Sequence, residues 1–192
     1  DVIVAALIRQ QVRAAGYNRA PDRALIEQLK AAEIVCVPTC GSLRHAQKAR
    51  ELGADVIIVQ GGEGGGHTGS VPSSLLISQC ADAIDVPIVA AGGFKDGRGL
   101  VAALAFGAQG VAMGTRFLLT RESPVPEATA LRYQQAGIGD VLVTTQIDGM
   151  PQRVVANELV QVLESSSSLR RLLHALRNAL GYRKVSGASV LE

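Results

Sequence analysis

A chain of 192 residues is the size of one domain, and 19 basic against 17 acidic residues leave a net charge of only +2, which removes any reason to expect a polyanion partner. Apolar residues make up 47% and aromatics 3%, which argues against nucleic-acid binding through stacked rings and suits buried parallel strands under small-residue helices. No apolar run approaches the ~18–20 residues of a membrane span, and the amino end lacks the basic flank, apolar core and cleavage site of a secretion signal, so the expectation is a soluble, cytoplasmic protein with no membrane partner.

The chain begins at Asp1 without a methionine, which suggests that an amino-terminal portion precedes it. The opening stretch "DVIVAALIRQQVRAAGYNRAP" is shorter than a strand and helix unit needs, and "PDRALIEQLKAA" (21–32) reads as a helix with Pro21 near its start. Four short runs then alternate with helical patterns: "EIVCVP" (33–38), "DVIIV" (55–59), "VPIVAA" (86–91) and "GVAMG" (110–114). Between them lie "SLRHAQKARELGA", "SSLLISQCADAI" and "DGRGLVAALAFGA", and Gly53 and Gly107 suit helix C-caps. Strand, loop and helix in repetition demand right-handed crossovers and a parallel sheet, so the fold class is α/β.

The rest of the chain differs in character. "SPVPEATALRYQQAG" suggests a turn and a helix, and "DVLVTTQIDGMPQRVV" an extended excursion that turns at Asp148-Gly149. In "ESSSSLRRLLHALRNAL" five leucines, from Leu169 to Leu180, share one helical face beside three arginines, a stripe expected to pack on its own domain, with His174 at its surface. This divides the chain into a domain over 1–160, with the excursion at 121–160, and a carboxyl-terminal helix and tail over 161–192. Cys36, Cys40 and Cys80 show neither redox nor zinc spacing and are expected to be core residues.

The chemistry concentrates in three glycine-rich strips, each at the carboxyl end of a strand, where parallel α/β folds bind ligands. The first, "QGGEGGGHTGSVP" (60–72), places His67 among glycines that let a ligand approach the backbone. Gly64, Gly66 and Gly69 fit a dinucleotide GxGxxG with Asp85 as its ribose acid, but the loop is long and Val71-Pro72 intervenes before the next helix. Glu63 and His67 have metal-ligand spacing only on a helix, which the glycines oppose, so no metal site is expected. His67 as a loop histidine of no consequence is the bland alternative. The second strip, "AAGGFKDGRG" (90–99), joins Gly92 and Gly93 to a helix start capped by Asp96, which reads as an anion site. The third, "MGTRF", offers the amide of Gly114 and the hydroxyl of Thr115, and two adjacent strand ends with such groups match a barrel phosphate site.

On "GADVIIVQGGEGGGHTG", "VPIVAAGGFKDGRGLVAALAFGAQGVAMGTRFLLTRES" and, more weakly, "DGMPQRVVANEL", the sequence resembles the nitronate monooxygenase (2-nitropropane dioxygenase-like) family and its flavin-dependent enoyl-acyl-carrier reductase relatives. The likeness runs from about Ala32 to Leu159. It implies an FMN-binding (β/α)8 TIM-type barrel with His67 as the catalytic residue. FMN phosphate would be held by Gly92, Gly93, Gly114 and Thr115, with Gln60 and Gly61 near the flavin ring or ribityl chain. The implied reaction is oxidation of alkyl nitronates or nitroalkanes by O2 through flavin. The alternative is NAD(P)H-dependent reduction of enoyl thioesters or quinones, and a rival of another class is a non-catalytic protein that binds a phosphate-bearing small molecule.

Such barrels have eight strands and ~250 residues, so four strands correspond to the carboxyl-terminal half. A half barrel of this kind leaves two sheet edges open, and pairing with a second copy, aggregation or partial folding is expected of it in isolation.

Overall fold

The computed structural model describes residues 2–18 and 23–165. In chain order these form α1 (Val2–Arg9), β1 (Ala14–Asn18), α2 (Arg23–Ala31), β2 (Val35–Cys40), α3 (Leu43–Glu51), β3 (Ile57–Gln60), β4 (Gly66–His67), α4 (Ser73–Ala83), β5 (Ile88–Ala91) and α5 (Gly97–Ala105). There follow β6 (Gly110–Ala112), a single-turn α6 (Thr115–Leu118), α7 (Glu127–Gln135), β7 (Val141–Thr144), β8 (Gln152–Val155) and α8 (Glu158–Ser165). Strands β1-β2-β3-β5-β6 make one sheet in which every neighbouring pair is parallel. Successive strands are joined by helices, so the loops after β3, β5 and β6 all leave from the same rim. The architecture is that of a partial (β/α)8 barrel.

The sheet has five strands where four were expected. "AAGYN" has no β-branched residue, so propensity does not mark it as a strand. Packing makes it one: Ala15 is buried with Val4, Ile26, Leu29, Ile34 and Cys36, while β1 pairs with β2 from Ala14 opposite Val35 to Asn18 opposite Thr39. The opening stretch thus holds a helix and a strand after all.

Strand boundaries shift for local reasons. Glu33 has φ +57, a left-handed exit from α2, so β2 begins at Val35 and not at residue 33. Asp55, expected to open a strand, instead accepts the Cys36 amide at 2.8 Å and ties β2 to the turn before β3. Helix ends follow the sequence more closely. Ser42 caps α3 by accepting from the His45 amide, Asp96 caps α5, and Gly53 and Gly107 take φ +103 and +95 just past their helices.

The larger core lies between the sheet and α3, α4 and α5, where Ile57, Leu76, Ile77 and Ile88 are fully buried, each contributing about 1.5–3 kcal/mol. All three cysteines are free and buried, and burial pushes the thiols of Cys40 and Cys80 up to about 11, so they remain protonated packing groups at neutral pH. Strands β7 and β8 form an antiparallel hairpin over residues 141–155, as the excursion and its turn implied, and β8 also pairs with β4. The boundary expected at residue 160 falls inside α8, while the leucine stripe and His174 lie outside the described residues. No helix among the described residues is long and apolar enough to cross a membrane.

Candidate functional site

The glycine strips are packed into one another through backbone. A Cβ on Gly61 would stand 2.2 Å from the Ser73 hydroxyl and 2.4 Å from its Cα. At Gly92, which has φ +100, it would meet the Gly64 amide at 3.0 Å and the Gly61 carbonyl at 3.1 Å. Side chains are excluded here because neighbouring loops occupy their space. Ser73, itself buried, knits the contact: its hydroxyl lies 2.7 Å from Glu63 Oε2 and 3.0 Å from the Gly92 carbonyl, and its amide donates to the same Glu63 oxygen at 2.9 Å. Glu63 thereby caps α4, whose own N-cap, Pro72, has no side chain to do so. Burial alone would raise the Glu63 carboxyl, but the hydrogen bonds from Ser73 and the nearby Arg153 outweigh it and hold it below the usual carboxylate range.

The hairpin grips the first loop from the other side. Gly66 pairs with Arg153 and His67 with Gln152, the Thr68 amide donates to the Pro151 carbonyl at 3.0 Å, and the Arg153 guanidinium donates twice to the Gly62 carbonyl. Gln60 Nε2 donates to the His67 carbonyl at 2.9 Å. The imidazole of His67 reaches the hairpin turn, with Nε2 2.7 Å from Asp148 Oδ2. Hydrogen bonds from Gln152, the Met150 amide and His67 lower the Asp148 carboxyl to about 2, so it is ionised at neutral pH.

These loops enclose a cavity of about 840 Å³, within the ~300–1,000 Å³ range of cofactor sites. Gln60, Gly92, Gly93, Gly114 and Thr115 all line it, together with Gly64, Gly65 and Gly66. Gly61 does not; it sits behind the wall, its amide donating to the Ala91 carbonyl at 3.1 Å and its missing side chain making room for Ser73. His67 stands next to the wall residue Gly66, tied to the hairpin.

Of the lining residues, Gly93, Gly114 and Thr115 have amides that donate to no acceptor among the described residues, and Lys95 and Arg116 line the same cavity without an ion-pair partner among them. That donor set suits a phosphate. The start of α5 was expected to contribute, and here the structure corrects the reading: Asp96 Oδ1 already occupies the amides of Arg98 and Gly99. The wall also has apolar members, Leu118, Leu119, Tyr133, Val141 and Val155 among them.

The weaker sequence motifs dissolve in the fold. Asp85 is ion-paired with Arg50, and no helix opens from the GxGxxG, because α4 begins only at Ser73. Glu63 and His67 are engaged separately by Ser73 and Asp148, and no cluster of three or more His, Cys, Asp or Glu among the described residues is placed to hold a metal. Sequence reasoning missed Asp148, Glu63 and Arg153 as parts of this site. Asp148 was visible only as a turn residue, and no local spacing connects it to His67, 81 residues away.

Comparison with known proteins gives the family. A family model described as nitronate monooxygenase matches residues 3–186. The chain is 53% identical over 181 residues to the (3aS,4S,5R,7aS)-5-hydroxy-7a-methyl-1-oxo-octahydro-1H-indene-4-carboxyl-CoA dehydrogenase of Rhodococcus jostii, a match covering 94% of this chain and 51% of that protein. It is 38% identical over 151 residues to a "Probable nitronate monooxygenase" of Staphylococcus saprophyticus, covering 73% and 42%. Among solved structures, FabK from Thermotoga maritima superposes with a TM-score of 0.83 at 31% identity, covering 95% of this chain and 58% of that one. The chain thus spans about half the length of the curated relatives it matches. With the glycine strips, the histidine and the parallel sheet in the arrangement described, and the family model matching nearly end to end, the chain belongs to the nitronate monooxygenase family.

Proposed function

We propose that this chain supplies the phosphate cradle and the proton-transfer group of an FMN-dependent oxidoreductase. The observation that carries the reading is that Gly92, Gly93, Gly114 and Thr115 line one cavity with Gly64, Gly65 and Gly66, the residues just before His67, whose own side chain is turned to the hairpin. Gly93, Gly114 and Thr115 would bind the FMN phosphate through free amides, with Lys95 and Arg116 adding charge. FMN, when bound, supplies two-electron redox chemistry. The chain's own part is to orient the substrate and move a proton at the carbon next to an activating group, a task suited to the imidazole of His67.

For the substrate we favour a CoA thioester of a bulky alicyclic acid, because identity to the indene-carboxyl-CoA dehydrogenase is 53% against 38% to the nitronate monooxygenase, and the apolar wall beside Tyr133 suits a ring system. A nitronate or nitroalkane is the second reading, supported by the family model. A thioester and a neutral nitroalkane both carry a carbon acidified by a neighbouring carbonyl or nitro group, so both ask the same act of His67, whereas a nitronate arrives already deprotonated and His67 would only bind its charge.

The test uses the full-length protein. It is expected to be yellow or to take up added FMN, and anaerobic addition of the correct substrate class should bleach the flavin. A protein that stays colourless with FMN, or binds FMN with no redox turnover on either substrate panel, would leave only a phosphate-ligand binder. Gly114→Asp gives a sharper check, because a Cβ there meets nothing within 4 Å and the fold should be kept. A carboxylate in the cradle should weaken FMN binding by more than about tenfold; unchanged affinity would place the phosphate elsewhere.

A further inference from the structure

The hairpin turn brings to His67 a group that the proton-transfer reading has not used. Asp148 Oδ2 lies 2.7 Å from Nε2 of the ring, and Oδ1 accepts the Met150 amide at 3.0 Å. An ionised carboxylate has no proton to give, so at this distance the ring nitrogen is the donor. In the neutral imidazole the lone pair is then on Nδ1, which has no hydrogen-bond partner among the described residues.

Packing does little to hold the ring. The His67 side chain is 54% exposed, and Cβ atoms built on Gly65 or Gly66 would meet nothing within 4 Å. The backbone, in contrast, is fixed by Gln60 and by β8. A loosely packed ring on a fixed backbone needs one partner to select its rotamer and its tautomer.

We propose that Asp148 is a positioning residue that holds His67 in the Nε2–H tautomer and makes Nδ1 the atom that takes the proton from the substrate carbon. This rests on the proton-transfer role given to His67 above. In that step the substrate C–H bond breaks, an Nδ1–H bond forms, the electron pair stays on the substrate, and the resulting imidazolium keeps its hydrogen bond to the Asp148 carboxylate. A Ser-His-Asp triad uses an aspartate in the same way, and exchanging that aspartate for asparagine lowers turnover by about 10⁴ because the ring adopts the wrong tautomer.

The experiment is histidine ¹⁵N NMR of the full-length protein at a pH where the ring is neutral, with the His67 signals assigned by their loss in His67→Ala; His45 and His174 are the other two histidines of this chain. Wild type is expected to show Nε2 protonated and Nδ1 bare. Asp148→Asn, which can donate as well as accept, is expected to lose that single tautomer and to lower turnover at least about tenfold. Asp148→Glu, which keeps the carboxylate, should retain the tautomer. An Nδ1–H ring in wild type, or an unchanged ring in Asp148→Asn, would overturn the proposal. If the asparagine variant does not fold, the wild-type tautomer alone decides. Normal turnover in His67→Ala would instead refute the underlying role of His67, and the two failures are separable because the tautomer is read without substrate.

Discussion

Replacing His67 with alanine is expected to lower turnover of the flavin-loaded enzyme by about 10² to 10⁴, the usual worth of a positioned proton-transfer group, while FMN uptake stays as it was. The ring can be removed without disturbing the loop, because what holds residue 67 in place is its backbone: its carbonyl accepts from Gln60, and it pairs with Gln152 across β4 and β8. The cradle residues Gly93, Gly114 and Thr115 come from other strands and should keep their affinity for FMN. Stopped-flow measurement of flavin reduction, beside an FMN titration of the same variant, separates the two effects. Wild-type reduction rates in the variant would return His67 to an ordinary loop residue.

The second large effect is on stability. Gly61→Ala is expected to cost about 3 kcal/mol or more, because the new methyl carbon would overlap backbone atoms of Ser73 and those atoms cannot rotate aside. Moving Ser73 also disturbs the Glu63 cap of α4 and the seat of Gly92. Gly65→Ala, four residues along in the same kind of sequence, meets nothing within 4 Å and should change stability by under about 1 kcal/mol. Urea denaturation of both variants, compared by midpoint at constant slope, checks the contrast. Equal stabilities would mean that the interlocked loops are not what requires glycine at position 61.

That contrast also shows what the sequence could and could not reveal. The strip 60–72 was legible as a strand-end loop open to a ligand, because glycines around a histidine after an apolar run have few structural excuses, and residues 60 and 63–66 do line the cavity. Which glycine serves the ligand and which serves its neighbours was not legible: Gly61 and Gly65 look alike until Ser73 is folded against one of them. The parallel strands β2, β3, β5 and β6 were legible through their apolar runs, and Asp96 through its place before a helix. Strand β1 was not, since burial of Ala15 against α1 and α2 is a tertiary effect that "AAGYN" does not encode locally. The start of α5 was expected both to be capped by Asp96 and to add to the anion site; the cap is there, and because it uses the Arg98 and Gly99 amides it leaves those two to no other anion.

The separation of 81 positions between His67 and Asp148 bears on the order of assembly. Neighbouring strands of the parallel sheet meet across a single helix, whereas the two-residue β4 must wait for a hairpin made much later during synthesis. Closing the longer loop costs only ~0.6 kcal/mol per doubling of length, but so short a strand returns few contacts for it. The sheet should therefore form first, and the histidine should acquire its carboxylate partner last. On the way down the sequence of events reverses: low concentrations of denaturant should release the hairpin, and with it the proposed activity, while the far-ultraviolet signal of the sheet and helices is still intact. Amide exchange faster at β4 and β8 than at β3 and β5 would be the residue-level record of a histidine–carboxylate pair that matures late and opens early.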